Sequence, residues 1–168
     1  MTNNSPLVSN SYPVIDGTFY DKGIQGDADT RDWTNAWNCT IERGSEYSTL
    51  NLSSGQTLGT YYKSISGDNI CFEIDIKTTQ ELSKLLVTLR KGSTTKGSFS
   101  LHNLGLSVNT WYHFKIELKD KMYVYVDGVA KTPLNWTNDY DKFCVHCQVN
   151  NIGDEANTYF KNFVYYPI

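Results

Sequence analysis

The fold is decided by the stretch Thr110-Trp-Tyr-His-Phe-Lys-Ile-Glu-Leu-Lys-Asp-Lys-Met-Tyr-Val-Tyr-Val-Asp-Gly-Val129. Side chains of alternating polarity over Trp111–Leu118, and again over Met122–Val126, predict two half-buried strands, because successive side chains of a strand point to opposite faces. Lys119-Asp120-Lys121 has the length of a hairpin connection. Asp127-Gly128 suits a type I′ turn, because both residues tolerate a positive φ. The stretch therefore predicts an antiparallel sheet.

The rest of the chain repeats this pattern of short strands separated by Gly, Asn, Asp and Ser. Such spacing is typical of a two-sheet sandwich, and we predict an all-β fold, an antiparallel two-sheet jelly roll. A helical turn is expected only at Thr79–Lys84. Residues 1–13 are polar and predict an arm or linker, which leaves residues 14–168 as one domain. The further predicted strands are Ile15–Tyr20, Tyr47–Leu52, Thr57–Ile65, Cys71–Lys77, Leu85–Lys91, Gly97–Leu104, Val129–Thr132, Phe143–Val149 and Tyr159–Tyr166.

Composition excludes several classes of function. The 168 residues carry a net charge of -3, and the longest basic cluster is Arg90-Lys91, which does not suit a nucleic-acid-binding surface. No apolar run approaches the roughly 20 residues of a membrane span. Met1–Pro6 lacks the basic and apolar regions of a signal peptide, so none is expected. The aromatic share of 14% favours strands and aromatic surface.

Two motifs carry a resemblance to known families. Thr110–Val129 resembles the paired strands of concanavalin A-like and laminin G-like domains, and Ile152–Tyr165 resembles their last strand. The resemblance implies a concanavalin A-like sandwich, a fold that hosts lectins, carbohydrate-binding modules, glycosidases and interaction domains. The Asn- and Tyr-rich composition, with Gly17–Gly23, is also similar to adhesin-like surface modules of methanogenic archaea and to viral tail modules.

The segment Glu73-Ile-Asp-Ile-Lys77 tests whether the chain is an enzyme. Retaining glycosidases of the laminarinase-like family, which share the fold, carry Glu-x-Asp-x-Glu, because alternate positions of one strand align the catalytic carboxyl groups on one face. Here Lys77 stands where the third carboxylate is needed. We therefore expect Glu73 and Asp75 to be surface residues of a sheet and the chain not to be an enzyme. His113 is expected to have a structural role within the Trp-x-His signature.

Cysteine spacing raises the question of a zinc site. Cys144-Val-His-Cys147 has half of the ligand spacing of such a site. Residues three apart in a strand point to opposite faces, however, so we favour buried thiols. Cys39 and Cys71 are isolated, and a disulfide that includes Cys39 stays open as an alternative.

Calcium is a better candidate metal than zinc. Jelly-roll binding modules often hold Ca²⁺ in a loop through carboxylate and carbonyl oxygens. Asp16, Asp21 and Asp154 would come together if the first and last strands pair. The alternative is that these aspartates serve turns and solubility.

Aromatic residues in polar loops predict a ligand site. Sugar rings present apolar C–H faces that stack on indole and phenol rings, while amides and charged groups bind the hydroxyls. The candidate stacking residues are Trp33, Trp37, Trp136 and Tyr140, and the candidate hydrogen-bonding residues are Arg31, Asp32, Asn35 and Asn138.

These observations predict a non-catalytic module that binds a glycan or cell-surface polymer. We expect it in an adhesin or in a viral tail or receptor-binding protein, outside the cell or on the virion surface, with other chains of that assembly as further candidate partners. One alternative is a structural or protein-interaction module of a surface or virion assembly. Another is a polysaccharide hydrolase or lyase that uses Glu73 and Asp75.

Overall fold

The computed structural model describes Trp33 and residues 35–168, with the backbone only for Asn35. Within this part, twelve strands form two sheets in which every neighbouring pair is antiparallel. The seven-stranded sheet has the order β10 (Val129–Ala130), β9 (Met122–Val126), β8 (Tyr112–Leu118), β5 (Ile70–Thr78), β12 (Asn157–Pro167), β3 (Ser48–Leu52) and β2 (Cys39–Arg43). The five-stranded sheet has the order β1 (Asn35–Trp37), β4 (Leu58–Ser64), β11 (Lys142–Gln148), β6 (Leu85–Lys91) and β7 (Thr94–Ser100).

The core lies between the sheets and is rich in aromatic rings. Alternation in β5 and β8 turns Phe72 and Phe114 inward, as predicted, and both side chains are fully buried. Phe72 meets Phe143 of the opposite sheet at a centroid distance of 4.6 Å, and Phe114 meets Phe99 at 5.3 Å. The predicted all-β jelly-roll sandwich is therefore confirmed.

The hairpins predicted from the deciding stretch are present. Leu118 pairs with Met122 across the Lys119–Lys121 connection. Asp127 and Gly128 have φ values of 50° and 82°, the positive values that a type I′ turn requires. Local sequence therefore specifies this part of the sheet.

Two local predictions are wrong. Leu101–Leu104, predicted as the end of a strand, forms the helical turn α1, because Ser100 caps it in a capping box with Asn103 and Gly105 ends it at a φ of 68°. Thr79–Lys84, predicted as a helical turn, is a non-helical turn closed by a hydrogen bond from the Lys84 amide to the Glu81 carbonyl at 3.1 Å. Among the described residues, α1 is the only helix. No helix in that part of the chain is long and apolar enough to cross a membrane.

Some predicted elements lie outside the described residues, and two strands were not predicted. The arm, residues 1–13, and the strand Ile15–Tyr20 are outside. Strands β1 and β2 are additional, since each contains at most two apolar side chains that face the core.

Candidate functional site

The outer surface of the seven-stranded sheet carries a dense set of polar side chains, which we call the polar face. It is formed by the side chains of β9, β8, β5 and β12 that alternate with the core residues. The strand register sets its rows. Asp75 pairs with His113 on one side and with Lys161 on the other, and Glu73 pairs with Lys115. Residues far apart in sequence are thereby placed next to one another.

His113 lies between two carboxylates at the centre of the polar face. Its Nδ1 is 2.6 Å from Asp75 Oδ1, and its Nε2 is 2.8 Å from Glu73 Oε1. The imidazole side chain is 41% exposed, while the side chains of Glu73 and Asp75 are 20% and 19% exposed. Both ring nitrogens therefore contact carboxylate oxygens, an arrangement that suits the doubly protonated imidazolium.

A bulge in β12 completes this cluster. The register with β5 shifts between Lys161 and Val164, and Asn162 takes a φ of 57°, which asparagine tolerates better than most residues. The Asn162 amide donates to Asp75 Oδ2 at 2.8 Å, and the Tyr166 hydroxyl donates to Glu73 Oε2. All four carboxylate oxygens of the cluster therefore have hydrogen-bond partners.

The charges of the cluster reinforce one another. Hydrogen bonds that His113 donates to Asp75 and Glu73 outweigh partial burial and raise the pKa of His113 from 6.5 to about 10. Burial favours a higher pKa for Glu73, but the bonds from His113 and Tyr166 outweigh it and lower that pKa. Burial and the neighbouring Cys71 and Glu73 raise the pKa of Tyr166, so its hydroxyl stays protonated. The raised pKa of His113 and the lowered pKa of Glu73 both favour the charged forms of these two groups at neutral pH.

Three aromatic rings lie beside the cluster on the polar face, and we call them the ring row. Tyr47 meets Trp111 at a centroid distance of 5.6 Å and Tyr159 at 5.4 Å, in both cases edge to face. The Lys77 ammonium is 4.9 Å from the centroid of Tyr159, and the Lys161 ammonium is 4.6 Å from that of Trp111. Each ring is partly exposed, so the row offers apolar surface next to hydrogen-bond donors.

A second pair of rings lies on the other side of the cluster. Tyr123 and Tyr125 of β9 point to the polar face, with Lys119 and Lys115 at 5.8 Å and 5.4 Å from their respective centroids. Glu117 lies between these lysines and accepts from Lys119 at 2.9 Å. Aromatic and charged side chains therefore alternate across four strands.

Two predicted stacking residues are buried, and those predictions are wrong. Trp33 is 2% exposed, because its indole packs among core rings, with Phe163 at a centroid distance of 4.8 Å. Tyr140 is also 2% exposed, and its hydroxyl donates to the Gly67 carbonyl at 2.6 Å. Neither ring can stack on a ligand at the surface.

Those of the other predicted ligand residues that the structure describes lie in two separate places. Trp136 is half-buried against Tyr140, and its Nε1 donates to the Lys119 carbonyl at 2.9 Å. Asn138 is exposed in the same loop. Trp37, which is 54% exposed, belongs to β1 at the edge of the five-stranded sheet. Arg31, Asp32 and the Asn35 side chain lie outside the described residues.

The described part of the chain contains only one of the three predicted calcium ligands, Asp154. Asp154 Oδ2 accepts from the Asn151 amide at 3.1 Å, which is turn chemistry, and Asp16 and Asp21 are outside the described residues. Among the residues that the structure describes, no three His, Cys, Asp or Glu side chains are arranged so that they could hold a metal ion. Calcium stays a prediction. The four cysteines are free and buried, and Cys144 and Cys147 lie on opposite faces of β11.

The ring row is not evident from the sequence. Trp111 stands at an outward position of the alternation, and Lys77 does so in β5, so a signal was present. Tyr47 and Tyr159, however, join them only through the strand order β3-β12-β5-β8.

Comparison with known proteins shows the fold. No protein-family model matches the chain, and no curated protein sequence does. Among solved structures, the chain is similar to the beta-glucanase of Bacillus licheniformis, with 14% identity, 90% of this chain and 98% of the glucanase covered, and a TM-score of 0.59. It is similar to the carbohydrate-binding module CBM66 from Bacillus subtilis, with 17% identity, coverage of 80% and 96%, and a TM-score of 0.52.

A sialidase also shares the fold, with 11% identity and a TM-score of 0.59. The match covers 77% of this chain but spans only 16% of the sialidase chain. The neighbours confirm the concanavalin-like jelly-roll architecture, while the laminin G-like resemblance stays an expectation from the sequence.

Proposed function

We propose that this chain is a non-catalytic carbohydrate-binding module and that its polar face binds the glycan. The observation that carries the proposal is the ring row, in which Tyr47 contacts both Trp111 and Tyr159 and all three rings are partly exposed beside charged hydrogen-bonding groups. Support also comes from the fold, which a carbohydrate-binding module and a beta-glucanase share at nearly full length.

The energetics of stacking are favourable at this face. Covering the exposed part of Trp111, at most about a third of the roughly 150–250 Å² of an indole, together with a comparable C–H area of a sugar ring, buries about 100 Å² and contributes about 2–3 kcal/mol at roughly 25 cal/mol per Å². Displacing the Lys161 ammonium from Trp111 costs about 0.5–1 kcal/mol, the size of an exposed cation–π contact. The displaced lysine can then donate to a sugar hydroxyl, so a net gain of about 1–2 kcal/mol per ring is expected.

The absence of catalysis is part of the proposal. Lys77 occupies the third place of the glycosidase pattern, and its ammonium lies between Trp111 and Tyr159, at 5.5 Å and 4.9 Å from their centroids. Glu73 and Asp75 contact His113 on one oxygen and a neutral donor on the other. A retaining glycosidase needs a carboxyl group that can protonate the leaving oxygen. The lowered pKa of Glu73 does not suit that role.

The alternative of a protein-interaction module has less support. Large exposed apolar side chains of the described residues are distributed over the edge strands β1 and β10, several turns and the last residue, and Leu82 and Val108 share a surface depression. A contiguous apolar patch is what such an interface requires. A position in an adhesin or a viral tail or receptor-binding protein, outside the cell or on the virion, is proposed from the Asn- and Tyr-rich sequence.

The test is a glycan array followed by calorimetric titration of the best ligand. Trp111→Ala and Tyr159→Ala should each weaken binding by about tenfold, with circular dichroism unchanged. Trp136→Phe, in a half-buried loop residue away from the ring row, is the matched aromatic control. An array without ligands, or equal affinity of Trp111→Ala and the wild type, would contradict the proposal. Release of reducing ends by the wild type but not by Glu73→Gln would favour the hydrolase.

A further inference from the structure

A separate pocket opens on the outer surface of the five-stranded sheet, opposite the polar face. It has a volume of about 330 Å³. Trp37 of β1 and Tyr62 of β4 form one side, and Arg90 of β6 and Lys142 of β11 form the other. We call it the Trp37 pocket. Its shape follows from strand register, since Arg90 pairs with Lys142 in neighbouring strands, and Trp37 pairs with Thr60, two residues before Tyr62.

The pocket is rich in positive charge although the chain is acidic overall. Arg90 and Lys142 line it, and Lys91 follows in sequence. Asp141 is the carboxylate that pairs with these lysines within the described residues, at 3.3 Å from Lys142 and 3.9 Å from Lys91. Among the described residues, the two cations that line the pocket have one carboxylate beside them, which leaves an excess of positive charge in a chain whose net charge is -3. An anion is therefore the favoured occupant.

Among the described residues, Arg90 uses only part of its hydrogen-bonding capacity. One terminal nitrogen donates to the Ser93 carbonyl at 2.6 Å. Its Nε is enclosed and has no hydrogen-bond partner among the described residues. Enclosed donors are normally satisfied, and a guanidinium binds a carboxylate through paired hydrogen bonds. Because the Nε is enclosed, a carboxylate-bearing ligand would contact Arg90 through its terminal nitrogens.

The aromatic side of the pocket favours a ligand that has an apolar ring face. Trp37 is 54% exposed in a short edge strand, and Tyr62 is half-buried with the Lys142 ammonium 5.6 Å from its centroid. Strands β1 and β6 are three strand spacings apart, about 14 Å. A ligand that reaches both Trp37 and Arg90 must therefore be longer than one sugar ring.

We propose that the Trp37 pocket is a second, charge-selective glycan site that binds an oligosaccharide with a carboxylate-bearing sugar. The carboxylate binds Arg90 and Lys142, and a neighbouring ring stacks on Trp37. The site is independent of the polar face, because it lies on the other sheet and uses different residues.

The experiment measures binding of acidic oligosaccharides and of their methyl esters, which keep the ring stereochemistry and lose the charge. One arm uses uronic-acid oligosaccharides and the other uses sialylated oligosaccharides, so that the arms identify the source of the carboxylate. We expect at least one acid to bind more tightly than its ester, with weaker binding at higher salt. Arg90→Gln and Lys142→Gln should each weaken that binding by about tenfold, the loss expected for a charge-assisted hydrogen bond.

Controls separate this proposal from the proposed function. Lys131→Gln removes one positive charge from the other sheet and should leave the affinity unchanged. Trp111→Ala should also leave acid binding at the Trp37 pocket unchanged, while Trp37→Ala weakens it. Arg90→Gln needs a thermal unfolding control, and Lys142→Gln provides a second test if the arginine variant is unstable.

The pocket proposal is wrong if no acid in either arm binds better than its ester, or if acid binding depends on Trp111 and not on Arg90 or Lys142. Loss of polar-face binding alone would leave it intact.

Discussion

Replacing His113 by glutamine should destabilise the protein, and the loss should depend on pH. A shift in the pKa of His113 from 6.5 to about 10 corresponds to about 5 kcal/mol at face value. The side chain is 41% exposed, however, and solvent screens its interactions, so we expect about 1–2 kcal/mol. Glutamine also leaves Glu73 and Asp75 close together without the cation that separates them.

The sign of the pH dependence follows from the raised pKa. The folded state binds the proton more tightly than the unfolded chain, so the stabilisation is fully present below about pH 6.5 and is lost as the pH rises through about 10. The difference in free energy of unfolding between the wild type and His113→Gln should therefore shrink at alkaline pH. Using the difference removes the contribution of lysines and tyrosines that titrate in the same range.

The assay is urea unfolding of both proteins with a reductant at about pH 6 and about pH 10, the limits set by the two pKa values. His102→Gln, at an exposed histidine of the helical turn, is the matched control and should not differ from the wild type. An NMR titration of the His113 ring reports its pKa directly. A value near 6.5, or an equal loss of stability at both pH values, would refute the interpretation that a protonated His113 is held between Glu73 and Asp75.

The remaining predictions test the core, a turn and the thiols. Trp33→Ala should cost about 3–5 kcal/mol in urea unfolding, whereas Trp37→Ala should stay within about 0.5 kcal/mol, and similar values would show that the burial is wrong. Gly128→Ala should cost about 1–2 kcal/mol, because alanine is strained at a φ of 82°; an unchanged midpoint would contradict the turn. All four cysteines should react slowly with a thiol reagent in the native protein and completely in guanidinium, while fewer than four reactive thiols would indicate a disulfide.

The fold was predictable because its signals are local. The alternation in Trp111–Leu118 and the Asp127-Gly128 turn specify strands and a hairpin within a few residues of sequence. Leu101–Leu104 was mistaken for a strand because its apolar residues continue those of β7. The capping residues Ser100 and Gly105 were the signal that outweighed them.

The candidate site was predictable only in part. Sequence places Glu73, Asp75 and His113 on outward positions, but their contact depends on β5 and β8 being neighbours in register. The ring row depends on a strand order that no short segment encodes. Trp33 was misassigned because its polar neighbours suggest a surface loop, while its burial comes from rings more than 100 residues further along, Phe143 and Phe163.

The central claim is that the polar face binds a glycan through its ring row, and affinity measured for Trp111→Ala and Trp136→Phe with the best array ligand tests it most directly. The account predicts that Trp111→Ala binds about tenfold more weakly, by loss of about 1–2 kcal/mol of stacking, and that Trp136→Phe binds like the wild type. Equal affinities for Trp111→Ala and the wild type would contradict it.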